Sequence, residues 1–266
     1  MITTFINFLA TNKGYSRRTC ESYEYCLHKF AGWARTQDAN VRWSTITKTM
    51  IDRYVTNEVE AGAAASSIKQ TIAALRTFYK TAWSLGYNGQ NPARFVSTPK
   101  KSQKLPNTIK GEEIKAAIQH AKSGRTGAIL SILYETGIRL QEMLDIKPAD
   151  IDQDLRRIKI HGKGRKERYV YYGNLTAERL EELCTEGMEQ RDVRRDVYEA
   201  LKPYTQAEQK SPHAIRHTFA TTALNNGMSI DTLSMLLGHA SVKTTEIYAK
   251  TAGVRVAAEY DKFRPQ

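Results

Sequence analysis

The sequence has few cysteines and no long apolar run, and each shortage excludes a class of protein. Its three cysteines, Cys20, Cys26 and Cys184, are an odd number without C-x-x-C spacing, so neither a disulfide framework nor a zinc ribbon is expected. No apolar stretch approaches the roughly 18 residues of a membrane span. The start, MITTFINFLATNKGYSRR, carries its positive charge after the apolar part and lacks a small-residue cleavage site, unlike a signal peptide. We therefore expect a cytoplasmic protein with free thiols.

Acidic residues are also scarce relative to basic ones. The 266 residues include 40 Lys and Arg against 28 Asp and Glu, a net charge of +12. Residues 1–104 hold 15 basic and 6 acidic residues, whereas the remaining residues hold 25 and 22. This excess predicts a polyanionic partner, and the N-terminal third is the more basic part.

Helical periodicity dominates the chain and predicts a mainly α protein with two domains. Four helical stretches come first: ITTFINFLATN, SRRTCESYEYCLHKFAGWART, TKTMIDRYVTNEVEAG and SSIKQTIAALRTFYKTAWSLG. The next segment, NPARFVSTPKKSQKLPNT, has three prolines and four basic residues, which is typical of a linker. We place an N-terminal helical domain at 1–96, the linker at 97–106 and a second domain at 107–266.

The second domain is also mostly helical but has one β-type stretch. Helices are predicted at GEEIKAAIQHAK, RTGAILSILYETG and RLQEMLDI, with further helical runs after the β-type stretch to about Tyr204. RRIKIHGKGRKERYVYY has two short β-type runs around Gly162 and Gly164, which predicts a hairpin. SIDTLSMLLG and SVKTTEIYAKT are the last predicted helices before the tail.

SPHAIRHTFATTALNNG predicts a helix of about 14 residues that begins with unusually many nitrogen-bearing side chains. Ser211 suits the N-cap and Pro212 the first helical position. His213, Arg216 and His217 then lie in the first turn and a half. A helix N-terminus attracts anions, phosphate among them.

Three interpretations of this helix start are open. The histidines could be ordinary packing or surface residues. His213 and His217 have the i, i+4 spacing of the H-E-x-x-H zinc helix, but Ala214 replaces its glutamate and a third ligand is missing. A phosphate site also accounts for Arg216, because guanidinium binds two phosphate oxygens in a planar fork.

Other candidate residues are individually weak. The hairpin tip GKGRKER is either a solvated turn or a flexible arm that reaches a DNA phosphate, with Lys163 as the first candidate and Lys166 as the reserve. Arg139 and Glu142 form either a capping pair at i, i+3 or part of a site. His239 follows a glycine, and a tyrosine on an amphipathic helix usually belongs to the core.

Together, the motifs carry a clear resemblance. TGIRLQE, GKGRKER, HAIRHTFAT, LLGH and TTEIYAK follow in this order, and the chain closely resembles the tyrosine recombinases, the phage integrase family, nearest to the Xer type. The resemblance covers nearly the whole chain and implies an N-terminal four-helix core-binding (SAM-like) domain and an α-helical catalytic domain with a small β-hairpin or three-stranded sheet. It implies six active-site residues: Arg139, Lys163, His213, Arg216, His239 and Tyr248.

The resemblance also implies the chemistry. Tyr248 would attack a DNA phosphate, giving a 3′-phosphotyrosyl link and a free 5′ hydroxyl, with neither metal nor nucleotide nor any other cofactor. Arg139 and Arg216 would clamp the phosphate, and His239 would donate a further hydrogen bond to it.

The remaining site residues would move protons or support the clamp. His213 would act as the base and Lys163 as the acid that protonates the leaving 5′ oxygen. Glu142 would orient Arg139 or Lys163, and His217 would have a packing or hydrogen-bonding role.

The implied partner is double-stranded DNA with specific recombination sites, which places the protein at the nucleoid. Candidates for DNA contacts are basic side chains of the first helices and of the hairpin: Arg17, Arg18, Lys69, Arg76, Arg165, Lys166 and Arg168. The tail VRVAAEYDKF would dock on a neighbouring protomer, giving a homo-tetramer or a hetero-tetramer with a paralogue. Integration, excision and dimer resolution would all use these residues.

One departure and two alternatives stand beside this prediction. Only fifty positions separate Lys163 from His213, fewer than we expect for a Xer-type protein, so a segment before EQRDVRRDVYEALKPYTQAEQK looks missing. A type IB topoisomerase would share the chemistry but relax supercoils as a monomer. A helical DNA-binding regulator without catalysis would use Tyr248 only for packing.

Overall fold

The structure is a computed structural model that describes residues 1–84, 86, 90–99, 107–162, 167–183, 186–239 and 245. The chain divides into two compact units, Met1–Gln103 and Lys104–Gln266. Of the linker predicted at 97–106, only residues 97–99 are described. The described part is mainly helical, with one small sheet in the second unit, so the predicted fold class is confirmed.

Four α-helices form the described part of the N-terminal unit, and they lie where periodicity predicts them. They are α1 (Ile2–Asn12), α2 (Arg17–Gln37), α3 (Lys48–Glu60) and α4 (Ala65–Ser84). Side-chain caps fix two of the starts: the hydroxyl oxygens of Ser16 and Thr47 accept hydrogen bonds from backbone N–H groups three residues ahead.

The core of this unit is aromatic. Each helix contributes one buried ring: Phe5, Phe30, Tyr54 and Phe78. The Phe5 and Phe78 rings meet edge to face with centroids 5.2 Å apart, and Phe30 and Tyr54 do so at 5.1 Å. Such pairs add stability beyond the apolar area they bury, so this core joins all four helices.

The helices of the C-terminal unit surround a central one. They are α5 (Gly111–Gln119), α6 (Gly124–Thr136), α7 (Leu140–Leu144), α8 (Asn174–Ala177), α9 (Gln190–Leu201), α10 (Pro212–Asn225) and α11 (Ile230–Leu237). Residues 127–133 of α6 are all buried, and α6 packs against α5, α8, α9, α10 and the sheet. A helix that is apolar on every side belongs at the centre of a domain.

The sheet consists of three antiparallel strands in the order β1-β2-β3. They are β1 (Ile151–Asp152), β2 (Arg157–His161) and β3 (Glu167–Tyr171). Ile160 of β2 lies opposite Arg168 of β3. The two long strands confirm the β-type runs predicted from the sequence, while residues 163–166 of the tip lie outside the described residues.

The helix α10 agrees with its sequence signals. Ser211 Oγ accepts a hydrogen bond from the Ala214 N–H at 3.3 Å, Pro212 is the first helical residue, and the helix has the 14 residues predicted. The predicted helix SVKTTEIYAKT lies outside the described residues except for Thr245. Among the described helices, none is both long and apolar enough to cross a membrane.

Candidate active site

Arg216 is the most deeply buried charged side chain of the site, with 3% of its surface exposed. It extends from α10, and its Nη1 donates to the Gly137 carbonyl at 2.7 Å while Nη2 donates to the Leu237 carbonyl at 2.8 Å. These carbonyls lie at the C-terminal ends of α6 and α11. A buried charge needs such partners, and helix C-termini provide carbonyls that have no partner within the helix and carry partial negative charge.

Arg139 precedes α7 and joins it to Glu142. The Arg139 backbone N–H donates to Glu142 Oε2 at 2.9 Å, and Nη1 donates to Oε1 at 2.8 Å. The Arg139 side chain is 45% exposed, whereas that of Glu142 is 8% exposed. The capping pair predicted as one interpretation therefore exists, and it also holds a half-exposed guanidinium in a fixed place.

Glu142 has a second arginine partner, Arg168 of β3. Arg168 Nη1 and Nη2 donate to the two Glu142 oxygens at 3.1 and 2.8 Å, and its Nε donates to the Leu236 carbonyl at 2.7 Å. Burial alone would raise the pKa of Glu142, but the hydrogen bonds from Arg168 and Arg139 outweigh it and lower the pKa below its ordinary value. Glu142 is therefore an anion shared by two guanidinium groups.

The end of α11 holds three arginines at once. Its three consecutive carbonyls, of Leu236, Leu237 and Gly238, accept hydrogen bonds from Arg168, Arg216 and Arg139 respectively. Gly238 has φ +60°, the left-handed conformation that commonly ends a helix and favours glycine. The helix terminus therefore brings together side chains from α10, β3 and the start of α7.

His239 directly follows this terminus and contacts Arg216. Its Nε2 lies 3.0 Å from Arg216 Nη2, and its Nδ1 lies 2.8 Å from Thr245 Oγ1. Because guanidinium only donates, Nε2 accepts, so the ring proton is on Nδ1 and is donated to Thr245. Burial, followed by the charges of Arg216, Arg139 and Arg168, lowers the pKa of His239 to about 4. The ring is therefore neutral at pH 7.

His213 and His217 lie side by side on α10. Their ring centroids are 4.2 Å apart at an interplanar angle of 65°. Burial and the charges of Arg216 and Arg139 lower the pKa of His213, and burial with the charges of His213, Arg216 and His239 lowers that of His217 to about 4. Both rings are neutral at pH 7, which is the form a general base requires.

The zinc interpretation of these histidines gains no support from their surroundings. In the described parts of the chain, no group of three or more His, Cys, Asp and Glu side chains could hold a metal ion. The charged side chain that acts on both histidines is instead that of Arg216, as the phosphate interpretation requires.

Family models match both units of the chain. Residues 107–253 match the phage integrase family, and residues 2–85 match the phage integrase N-terminal SAM-like domain. The chain belongs to the phage integrase family. The resemblance predicted from the motifs is thereby confirmed, and the chain is an enzyme of the tyrosine recombinase type.

Individual relatives agree with this family. The chain is 27% identical to tyrosine recombinase XerC of Bacillus pumilus, over all of this chain and 96% of that protein. It is 26% identical to tyrosine recombinase XerD of Oceanobacillus iheyensis, over all of this chain and 98% of that protein. The structure of XerH bound to palindromic difH has the same fold, with a TM-score of 0.77 at 19% identity, over 98% of this chain and 84% of that one.

The structure brings together four of the six predicted catalytic residues of this integrase: Arg139, His213, Arg216 and His239. Arg139 and Arg216 bind adjacent carbonyls at the end of α11, and Arg216 also contacts His239 directly. The other two, Lys163 and Tyr248, lie outside the described residues, as do the DNA-contact candidates Arg165 and Lys166. Their roles remain predictions.

The DNA-contact candidates of the N-terminal unit differ in their surroundings. Arg17 and Arg18 begin α2 and are exposed, and Arg17 pairs with Glu21 at 2.8 Å. Lys69 lies half-buried on α4. Arg76 of the same helix donates to two backbone carbonyls of residues 93 and 96, at 3.0 and 2.7 Å, which favours a structural role for it.

The structure adds one residue to the site and places Arg168, predicted as a DNA contact, among partners inside the protein. Thr245 is fully buried and bonds His239, but no spacing in the sequence indicates that contact. Arg168 was grouped with the DNA contacts because it lies in the basic run GKGRKER. Arg168, Val170 and Tyr172 follow one another at intervals of two residues, so Arg168 lies on the same inner face of the sheet as these two buried residues. This spacing was visible in the sequence.

Proposed function

We propose that this integrase cleaves and rejoins DNA at a specific site through a 3′-phosphotyrosyl intermediate on Tyr248. The observation that supports it best is the convergence of Arg139, Arg216 and the neutral His239 on the end of α11. Two guanidinium groups and an imidazole in one place suit a phosphodiester whose non-bridging oxygens gain charge during cleavage.

The arginines would supply most of the catalytic effect. Arg216 is preorganised by carbonyls of two helices, and Arg139 by Glu142. Donors that are already oriented need no rearrangement during the reaction, and removing one such donor typically costs about 2.7 to 4 kcal/mol in the barrier.

The nucleophile is a phenol and needs help to lose its proton, since its ordinary pKa is about 10. We assign the base to His213, whose lowered pKa keeps it neutral at pH 7. The Tyr248 oxygen forms a bond to phosphorus, the bond to the 5′ oxygen breaks, and Lys163 protonates that oxygen. Rejoining reverses these steps. The phosphate ester is conserved throughout, so neither a nucleotide nor a metal is needed.

The two units would have different roles in recombination. We assign DNA positioning to residues 1–96, whose excess of basic side chains suits phosphate contacts, and catalysis to residues 107–266, with 97–106 as the linker. The XerH neighbour is a site-specific recombinase bound to a palindromic DNA substrate in a post-cleavage complex. By analogy, we propose a tetramer on paired DNA sites, built from this chain alone or with a paralogue, in which the tail after Tyr248 docks on a neighbour.

The decisive experiment traps the covalent intermediate. Duplexes bound by the protein are first selected from a random-sequence library, and the selected site is then made as a nicked suicide duplex. With EDTA present, the wild-type chain should form a denaturant-stable adduct with the labelled 3′ strand. Tyr248→Phe should form none while keeping its DNA affinity, because only the phenolic oxygen is lost.

Three other results would overturn the proposal. An adduct that persists in Tyr248→Phe would place the nucleophile elsewhere. Specific binding of the selected duplex without any adduct in the wild type would favour a non-catalytic regulator. Site-independent relaxation of a supercoiled plasmid by the monomer would instead indicate topoisomerase activity.

A further inference from the structure

Arg168 is a basic residue, but its side chain lies on the inner face of β3 and not on the face that DNA could contact. Its side chain is only 14% exposed, and it shares the inner face of β3 with Val170, opposite Ile160 of β2. A charged side chain on a buried face needs partners inside the protein, because the desolvation of an unpaired guanidinium is costly.

The guanidinium of Arg168 uses three of its N–H groups within the protein. Both Nη atoms donate to the Glu142 carboxylate, and Nε donates to the Leu236 carbonyl. A planar fork can make such a bidentate pair and a third bond together, which a lysine ammonium cannot do with the same geometry.

These partners link Arg168 to the phosphate-binding groups. Glu142 also binds the backbone and side chain of Arg139. Leu236 belongs to the same terminus of α11 whose next two carbonyls bind Arg216 and Arg139. Arg168 therefore connects β3 with Glu142 and with the end of α11, the two groups that hold the arginines of the proposed phosphate clamp.

The packing around Gly238 shows how closely Arg168 fits. A Cβ atom placed on Gly238 would lie 2.8 Å from Arg168 Nη1 and 2.9 Å from its Cζ. The guanidinium therefore lies close against the helix terminus, to which the hydrogen bond from Nε to the Leu236 carbonyl also joins it. In the sequence, Arg168 follows the predicted acid Lys163 by five residues.

We propose that Arg168 is a positioning residue of the recombination site. It holds Glu142 against the end of α11 and thereby fixes Arg139, Arg216 and His239 for the scissile phosphate. This inference rests on the proposed function, since it concerns the rate of DNA cleavage. It replaces the assignment of Arg168 as a DNA contact.

The test separates DNA affinity from the cleavage rate. On the duplex with which the wild type forms its adduct, Arg168→Gln is compared with the wild type for dissociation constant, salt dependence of binding and single-turnover cleavage at saturating protein. A positioning role predicts a cleavage rate about 100-fold lower, as for a misplacement near 1 Å, with the dissociation constant and salt slope unchanged. Arg168→Lys should not restore the rate, because one ammonium cannot replace the fork.

Arg157 provides a matched control in the same sheet. It lies on β2 and pairs with Asp152 at 3.0 Å, with 32% of its side chain exposed. Arg157→Gln also removes a carboxylate-paired arginine but touches none of the residues of the clamp. Its cleavage rate should stay within about 2-fold of the wild type, as expected of a residue that shares no hydrogen-bond partner with the clamp.

A second measurement tests the route through Glu142. If Arg168 acts by holding this carboxylate, Glu142→Gln should lower the cleavage rate as well. The double variant should then be no slower than the slower single variant, because residues that act as a unit are non-additive.

The outcomes of these measurements distinguish a positioning role of Arg168 from a phosphate contact. Weaker binding with a salt slope smaller by about 1 and an unchanged cleavage rate would make Arg168 a phosphate contact, and would overturn the inference. An unchanged rate and affinity would overturn it too. If Arg168→Gln does not fold, the same three measurements are made with Arg168→Lys. If the wild type itself forms no adduct, the proposed function fails before Arg168 is tested.

Discussion

At the scale of single residues, the chemistry of His239 depends on which ring nitrogen carries the proton. Nε2 accepts from Arg216, and Nδ1 donates to Thr245. A hydroxyl can donate as well as accept, so Thr245 remains a partner for Nδ1 when the proton moves to Nε2. We infer that His239 changes to the Nε2–H tautomer when Arg216 directs its proton to a phosphate.

Replacing Thr245 by Val should therefore slow DNA cleavage. Thr245 is fully buried, and valine keeps its shape but leaves Nδ1 of His239 without a partner, which costs roughly 1–3 kcal/mol for a buried group. We expect a single-turnover rate about 10-fold lower for Thr245→Val, and a rate near the wild type for Thr245→Ser, which keeps the hydroxyl. Equal rates for Thr245→Val and the wild type would show that this hydrogen bond does not matter to catalysis.

The sequence predicted the nitrogen-bearing residues of the site better than their supports. His213, Arg216 and His239 were identified because each lies in a short motif whose order along the chain is itself informative. The carbonyls that hold the arginines carry no side-chain signal, since any residue has one. Thr245 meets His239 only through tertiary structure. Supports of this kind become visible only when the chain is folded.

At the scale of secondary structure elements, the site is built from helix ends. The C-terminus of α6 binds Arg216 through Gly137, and the C-terminus of α11 binds three arginines. The terminal carbonyls of a helix have no intrahelical partners and attract cations. The arginines therefore satisfy the hydrogen-bonding needs of the terminal carbonyls, and these carbonyls in turn orient the arginines.

Adding a single methyl group at the end of α11 should disturb this arrangement. Gly238→Ala places a Cβ 2.8 Å from Arg168 Nη1 at a φ of +60°. We expect a loss of about 1 kcal/mol in unfolding free energy from the backbone alone and, in addition, a fall in the cleavage rate of at least about 10-fold as Arg168 is displaced. Thermal unfolding and single-turnover cleavage measure the two effects.

Gly187 is the control for the backbone effect. Its φ is +71°, and a Cβ there would meet nothing within 4 Å. Gly187→Ala should lose similar stability but cleave DNA at the wild-type rate. If both alanine variants cleaved equally slowly, the effect would come from general destabilisation and not from the contact with Arg168.

The long elements were predictable and the short ones less so. The α1 helix has the bounds that its apolar spacing predicts, and α10 has its predicted length because the Ser211 cap and Pro212 mark its start. The α7 helix has only five of the eight residues of the predicted stretch RLQEMLDI, and β1 has two residues. A strand of two residues has no periodicity to recognise, and the pairing of β1 with β2 depends on the rest of the unit.

At the scale of the whole molecule, the two units differ in their electrostatics. The N-terminal third carries most of the net positive charge. The C-terminal unit instead encloses neutral histidines next to buried or half-exposed arginines and keeps the Glu142 carboxylate ionised. This arrangement suits a surface that attracts DNA and a site that binds one phosphate, and it makes the stability of the C-terminal unit depend on pH.

The stability of the C-terminal unit should fall when the pH falls from 6.5 to 4. The pKa values of His217 and His239 are lowered from 6.5 to about 4 in the folded chain, with Arg139, Arg168, Arg216 and His213 as the cationic neighbours and Glu142 as the opposing anion. Within this window the unfolded chain binds protons on both rings and the folded chain does not, so acid favours unfolding. Each ring contributes at most about 1.4 kcal/mol per pH unit, an upper limit because both are partly exposed.

Hydrogen exchange of α10 and α11 across this pH range measures the effect in the right unit. All three tryptophans, Trp33, Trp43 and Trp83, precede residue 104, so intrinsic fluorescence would follow the other unit. The double variant His217→Gln/His239→Gln cannot take up these protons, and its opening free energy should vary much less between pH 6.5 and 4. A wild-type opening free energy that stays constant across this window would mean that the imidazoles titrate alike in the folded and unfolded chain, and that burial beside Arg216 does not hold them neutral.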